Sequence, residues 1–262
     1  PDIFKAGRIF PVPKIALDGL IADLRSLRDK AIANGIYLAP PSGALGYHLI
    51  LQPDDTVSIL TVSSIVATRK NCAAPASQPG WGLWSSVAET FVARKPLPAN
   101  GIIFVESDTW VDGQIATAHI TIAAARLGSG VPSSSYANII VNRSLLYTNK
   151  DGKDTLALVA QNNVLTGLKS NTTIEIDAAL VAQNGRVGRF YYSSYCGPEY
   201  VRSSITLFGM LATNRRYGFA YVDGTGYQTR ILRYDGNLLY TPPPSFPLTA
   251  DAYTLLTWEE VK

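Results

Sequence analysis

Apolar positions follow a helical period only once in this chain. Leu20, Ile21, Leu24, Leu27, Ala31 and Ile32 recur at three- and four-residue spacing. Asp18 is placed to cap that segment and Asn34-Gly35 to stop it in a left-handed turn, which predicts an amphipathic helix over 18–34. From Ile36 the pattern changes to short extended runs at 47–51, 57–62, 102–105, 119–123, 138–141, 156–160 and 173–176. Others follow at 180–182, 205–207, 211–213, 219–222 and 228–232. Runs this short, separated by Gly, Asn, Asp and Ser turns, predict an all-β architecture.

Internal similarity narrows the choice. Leu158-Val159-Ala160-Gln161-Asn162-Asn163 recurs 22 residues later as Leu180-Val181-Ala182-Gln183-Asn184-Gly185, and more loosely as Met210-Leu211-Ala212-Thr213-Asn214-Arg215. A period of 20 to 30 residues suits one coil of a parallel β-solenoid (β-helix), with Asn162, Asn184 and Asn214 at equivalent turns. The competing reading is a sandwich whose strands share the same string. A solenoid has two open ends, so the helix is expected to cap the first and Pro242-Pro243-Pro244-Ser245-Phe246-Pro247 the last. The segment between Ala73 and Asn100, with Pro75, Pro79, Trp81, Trp84, Pro96 and Pro98, reads as an excursion. One elongated domain over 1–262 is expected, divided softly into a capping region (1–99) and coils (100–262).

Composition removes several classes. With 47% hydrophobic and 16% charged residues among 262, the chain can bury enough surface to fold, which excludes disorder. A net charge of +3 is too small to announce nucleic-acid binding by itself. Two His, two Cys and one Met leave little material for metal, thiol or imidazole chemistry, and no cofactor is expected. The chain has no run of 18 apolar residues, and it begins at Pro1 without initiator Met or signal peptide, as an excised fragment would. Cys72 and Cys196 fit no metal spacing and are either two unrelated buried thiols or one long-range disulfide.

Individual candidates for chemistry mostly read as structural. His48 and His119 sit in apolar strands and are expected to be hydrogen-bonded structural histidines. Gly82-Leu83-Trp84-Ser85-Ser86 does not match a nucleophile elbow, and Gly128-Ser129-Gly130 runs into Val-Pro rather than opening a helix. Glu106, Asp108 and Asp112 flank Trp110 and could line a glycosidase-like groove, but a solvated strand edge fits their alternation as well. Asn149 to Asp154 has oxygen ligands around Gly152 like half a calcium loop, yet lacks a closing Glu and reads as an Asp-Gly hairpin turn.

The densest local signal is basic and aromatic. Between Leu180 and Tyr240 stand Arg186, Arg189, Arg202, Arg215, Arg216, Arg230 and Arg233 against three acids, a local balance of +4. Nine Tyr are interleaved with them, among them Tyr191, Tyr192, Tyr217 and Tyr227. Guanidinium groups that reach phosphates and rings that stack on bases suit a DNA or other polymer surface. Tyr-rich strands also suit sugars, and Arg packed on Tyr to cover strand edges explains the same composition with no ligand.

Several strings carry a family resemblance. Ala99-Asn100-Gly101-Ile102-Ile103-Phe104-Val105-Glu106, Trp110-Val111-Asp112-Gly113-Gln114-Ile115, His119-Ile120-Thr121-Ile122-Ala123-Ala124-Ala125 and Leu180-Val181-Ala182-Gln183-Asn184-Gly185 resemble the β-solenoid region of bacterial type IV pilus-associated, minor pilin-like proteins, some linked to competence. Ala33-Asn34-Gly35-Ile36-Tyr37-Leu38 and the ending from Leu239 to Pro247 look like the same group. The resemblance implies an extracellular, cell-surface, non-enzymatic domain for adhesion or DNA uptake, with pilus subunits or other surface proteins as partners and DNA or polysaccharide as ligand. Attachment to a membrane would run through an N-terminal pilin helix and its cleavage site, which this chain lacks. The alternatives are a carbohydrate-active β-helix enzyme or carbohydrate-binding module, and a purely structural assembly module.

Overall fold

The computed structural model describes residues 20–67, 71–72 and 84–246, with helical side chains from Leu24 onward. Asp18 as a cap, the side chains of Leu20 and Ile21, and Pro75, Pro79, Trp81 and Pro247 lie outside the described residues. Helix α1 (Leu20–Asn34) leads into β1 (Ile36–Leu38), β2 (Gly46–Gln52), β3 (Thr56–Ile65) and β4 (Ser86–Pro96). Strands β5 (Ile102–Val105), β6 (Asp108–Ile115), β7 (His119–Ala124), β8 (Ile139–Ile140), β9 (Leu145–Tyr147), β10 (Thr155–Ala160) and β11 (Val164–Thr166) follow. The last four are β12 (Thr173–Ala182), β13 (Val187–Arg189), β14 (Val201–Thr213) and β15 (Gly226–Tyr234).

The protein is mostly β, and most of its strand pairs are parallel. Ile103, Ile122, Leu158, Leu180 and Leu211 stand directly opposite one another across successive parallel pairs. Gly113, Leu145, Ile176, Leu207 and Leu232 do so in a second row, and Thr109, Ile139, Val164 and Val187 in a third. Parallel pairing in register stacks like on like, so each inward Ile, Leu or Val meets the same type of side chain above and below. The result is one continuous core in which Ile103, Ile122, Leu158, Ile139, Leu145 and Val164 are at most 2% exposed. Among the described strands only β2–β3–β4 pair antiparallel, and β2 joins the parallel set through β6. Strands on both sides of Asn100 therefore share hydrogen bonds, β1 with β5 and β2 with β6.

The helix and the C-terminal prolines are placed otherwise than expected. Leu24, Leu27 and Ala31 pack on Ile102, Phe104, Ala123, Ala125, Ala157 and Val159, the outward side chains of β5, β7 and β10 and their flanks. The helix thus covers a flank of the sheet, because the run of alanines there leaves room for it to approach. Gly35 ends it by proximity and not by a left-handed turn: a Cβ there would sit 2.4 Å from the Ile102 carbonyl oxygen. The proline segment returns to the same flank, where Pro244 O accepts from Thr121 Oγ1 at 2.6 Å and Ser245 Oγ from Lys30 Nζ at 2.8 Å. It does not cover the last strand. In β15, Ile231, Leu232 and Tyr234 are exposed, and among the described residues β14 is the strand's one neighbour.

Three further expectations change. The runs 173–176 and 180–182 are one strand, as are 205–207 and 211–213, because Asp177, Ala178 and Ala179 stay extended and buried between them. The third copy of the repeat is offset by one residue: Leu180 pairs with Leu211, so Met210 faces the helix flank and Asn214 stands beside Gln183, not Asn184. A slip of one exchanges the faces of a strand, and Leu211, not Met210, continues the inner row. Residues 219–222 form no strand and contribute one isolated bridge, Ala220 to Gly226.

Candidate functional site

The arginines and tyrosines of the C-terminal third divide into three groups. Arg189, Tyr192 and Tyr227 lie in the interior, each at most 1% exposed. The Arg189 guanidinium donates to the carbonyls of Gly167, Leu168 and Glu199 and to Ser170 Oγ. It stacks 4.7 Å from the Tyr192 ring and 5.7 Å from that of Tyr227, whose hydroxyl donates to Ser170 Oγ at 2.8 Å. Burial pushes the guanidinium below its ordinary pKa. These three residues cannot present themselves to an external polymer, which corrects the expectation for them: both Nη groups of the buried cation are spent on the fold. Beside them Cys72 and Cys196 form a disulfide packed on Phe190 and Tyr192.

The second group is half-buried. Arg202 donates to Leu168 O and Thr172 Oγ1, Arg186 lies 5.8 Å over the Phe190 ring, and Tyr191 meets Tyr221 edge to face. The third group is open to solvent: Arg215, Arg216 and Tyr217 on the turn after β14, and Arg230 and Arg233 on β15. Among the described residues none of these four arginines is in an ion pair, although Arg230 donates to the carbonyls of Tyr227 and Gln228. Alternation along β15 sends Arg230 to the face of Leu232 and Tyr234 and Arg233 to the opposite one.

A second cluster joins residues far apart in sequence. His48 on β2 lies between two carboxylates, Nδ1 at 3.0 Å from Glu89 Oε1 and Nε2 at 2.9 Å from Asp112 Oδ2, with Arg143 Nη1 3.4 Å from the same Asp112 oxygen. Burial alone pushes this imidazole down, but Asp112 and then Glu89 outweigh it and hold His48 above its ordinary pKa. Burial acts upward on Glu89, and hydrogen bonds from Ser86 and His48 bring it below the usual carboxylate range. Only when the ring is protonated do both nitrogens donate, one to each carboxylate. A pocket of about 100 Å³ beside it is lined by Ser85, Trp110, Asn142, Arg143 and Lys169 among others. Ser85 Oγ accepts from the Lys169 backbone N–H.

The carboxylates near Trp110 disperse. Glu106 lies 3.9 Å from Arg28, Asp108 holds Arg126 and Asn138, and Asp112 faces His48. The carboxylate opposite Asp112 is Glu89, and the His48 imidazole fills the space a glycosidic oxygen would need. In the turn at 149–154, Asp154 accepts from Asn149 N and Ala118 N, and Asp151 from Lys153 N. This turn joins β9 to β10, which do not pair, so it is no hairpin. Among the described residues no group of three acidic, His or Cys side chains is arranged to hold a metal, and no helix is long and apolar enough to cross a membrane. His119, the other histidine, bonds Thr155 Oγ1 at 2.8 Å.

The class the structure defines is a β-rich protein with stacked parallel strands. No protein family, curated protein or solved structure matches the chain. Sequence reasoning missed Glu89 as a partner of His48, since the two lie 41 residues apart and meet only across the β2–β3–β4 sheet.

Proposed function

We propose that this chain is the non-enzymatic, extracellular β-solenoid domain of a type IV pilus- or pseudopilus-associated, minor pilin-like protein, displaying a surface for DNA or another polymer. Three parallel rows in register are what a β-solenoid requires. Four strings that carry the family resemblance fall on β5, β6, β7 and β12, the strands that build those rows. A disulfide closing 124 residues suits an oxidising compartment outside the cytoplasm.

The observation that carries the binding reading is the group of exposed, unpaired arginines at the C-terminal end, Arg215, Arg216, Arg230 and Arg233, with Tyr217 and Tyr234 beside them in sequence. Such groups contact phosphates and stack on bases without reading sequence. Fluorescence anisotropy with short single- and double-stranded DNA at two salt concentrations tests it. Binding that weakens with salt, and weakens further in the Arg215→Ala/Arg216→Ala protein, is expected. No binding at low salt, or binding indifferent to that double substitution, overturns the DNA reading.

One observation favours an assembly role for the same end. The edge of β15, without a second partner strand among the described residues, carries exposed Ile231, Leu232 and Tyr234, which suits strand addition from a pilus subunit. Sedimentation velocity of the purified chain, alone and with candidate subunits, checks it.

A further inference from the structure

Lys150, on the turn after β9, reaches two carboxylates of β12, the strand that stacks directly on β9. Its Nζ lies 2.6 Å from Glu175 Oε1 and 2.8 Å from Asp177 Oδ1. The Asp177 side chain has no exposed surface, whereas those of Lys150 and Glu175 are 40% and 41% exposed. The other carboxyl oxygen, Asp177 Oδ2, accepts from the Tyr147 backbone N–H at 2.9 Å. Phe208 stands opposite Asp177 on β14, and Lys150 Nζ lies 4.9 Å from the centre of its ring. A primary amine is thus held against one oxygen of a buried carboxyl whose other oxygen already faces a fixed donor.

Burial acts first on both partners and in one direction, toward an uncharged amine and an uncharged acid. At Lys150 the hydrogen bonds to Asp177 and Glu175 outweigh it and hold the ammonium above its ordinary pKa. At Asp177 burial prevails, and the carboxyl stays above the usual carboxylate range. The ion pair and the neutral pair differ only in where one proton sits along the 2.8 Å hydrogen bond. An amine facing an acid therefore forms there without exchange with solvent. Glu175 alternates with Asp177 on the same face of β12 and touches the amine from its open side, where it can take a second proton.

We propose that Lys150 and Asp177 join in an intramolecular amide, with Glu175 as the proton carrier. The neutral Nζ attacks Cγ of the protonated Asp177, the C–N bond forms, and the Tyr147 N–H holds the charge that develops on Oδ2. Glu175 takes a proton from Nζ and delivers it to Oδ1, the Cγ–Oδ1 bond breaks, and that oxygen leaves as water. Amine plus acid gives amide plus water, so the step needs no oxidant, reductant or co-reactant. Fixed proximity supplies what two free groups in solution lack. The bond would join positions 27 residues apart and tie the turn after β9 to the next level of the stack. This site is independent of the C-terminal arginines and of the polymer reading.

The test is the intact mass of the whole chain, incubated folded and then reduced and denatured. The parent protein is expected to be lighter than its sequence by one water. Fragmentation of its protease digest should then yield a branched peptide in which Lys150 is bonded to Asp177. Lys150→Arg keeps the charge but should show the full mass, and Glu175→Gln should lose water at least about 100-fold more slowly. A parent protein that stays at its full sequence mass overturns the proposal and leaves an ordinary ion pair. A missing water located elsewhere, such as a succinimide at Asp151-Gly152, overturns it too. So does a Glu175→Gln protein that closes the bond as fast as the parent. The deciding measurement is made on the parent protein, so a variant that fails to fold does not shield the proposal.

Discussion

Strands β12 and β15 flank β14 on opposite sides and pair with it in the same parallel sense. Their surroundings differ entirely. In β12 both faces are buried: Ile174, Ile176, Ala178 and Leu180 in the inner core, Ala179 and Val181 under the helix flank. In β15 only Gly226 and Tyr227 are buried, and everything from Gln228 to Tyr234 is open. An apolar side chain in a stack is covered by the levels above and below it, so Leu180 and Leu207 are core while Leu232, opposite Leu207, is exposed. The arginines obey the same rule: Arg189 on β13 is enclosed, and Arg230 on β15 is not.

The largest effect that separates these regions is expected at Arg189. Its replacement by Ala removes its hydrogen bonds to the Gly167, Leu168 and Glu199 carbonyls and to Ser170 Oγ and opens a cavity between two tyrosines, at a cost of about 3–5 kcal/mol in denaturant unfolding. Arg230→Ala, measured alongside, should leave the midpoint where it is; equal losses at both sites would abolish the distinction. Next comes Leu180→Ala, expected to cost about 3 kcal/mol as a core truncation, against under about 1 kcal/mol for Leu232→Ala. A Leu232 penalty that rises with protein concentration would mean that the free edge is covered by a second molecule in solution.

His48→Gln is expected to cost about 2–3 kcal/mol, because it leaves Asp112 and Glu89 close together without the cation between them. The parent protein should show a matching pH dependence. The raised pKa of His48 stabilises the fold below its ordinary value of about 6.5, and that contribution is lost as pH rises through the folded value. The depressed pKa of Glu89 contributes above its ordinary value of about 4.3 and is lost as pH falls through the folded one. Thermal melts between those limits and above pH 7 should differ in the parent and converge in the His48→Gln protein; identical profiles would remove the imidazolium. The smallest structural effect belongs to Arg215→Ala/Arg216→Ala, which should not move the melting temperature and should reduce the salt slope of DNA binding by roughly one per lost phosphate contact.

Much of the architecture was legible from pattern alone. The 22-residue echo of Leu158-Val159-Ala160 in Leu180-Val181-Ala182 is the register in which β10 and β12 pair. The third echo misled by one position, because Met210 and Leu211 are both apolar and only the packing decides which of them faces inward. Short strands such as β9, β11 and β13 gave no separable period, since three residues are too few to show alternation. The candidate site was legible as composition: an excess of Arg and Tyr was visible, but not its division into an enclosed group around Ser170 and an open group on β15 and the turn before it.

By itself, then, the sequence determined that the chain is β-rich, that one helix precedes the strands, and that equivalent apolar residues recur at the spacing of paired strands. These are local properties, set by side-chain period and turn chemistry. Only the tertiary structure decided that the helix and the prolines share one flank, that His48 sits between Glu89 and Asp112, and that Lys150 meets Glu175 and Asp177. Each of those depends on which distant backbone comes within about 3 Å of a given group, a distance that no local pattern encodes.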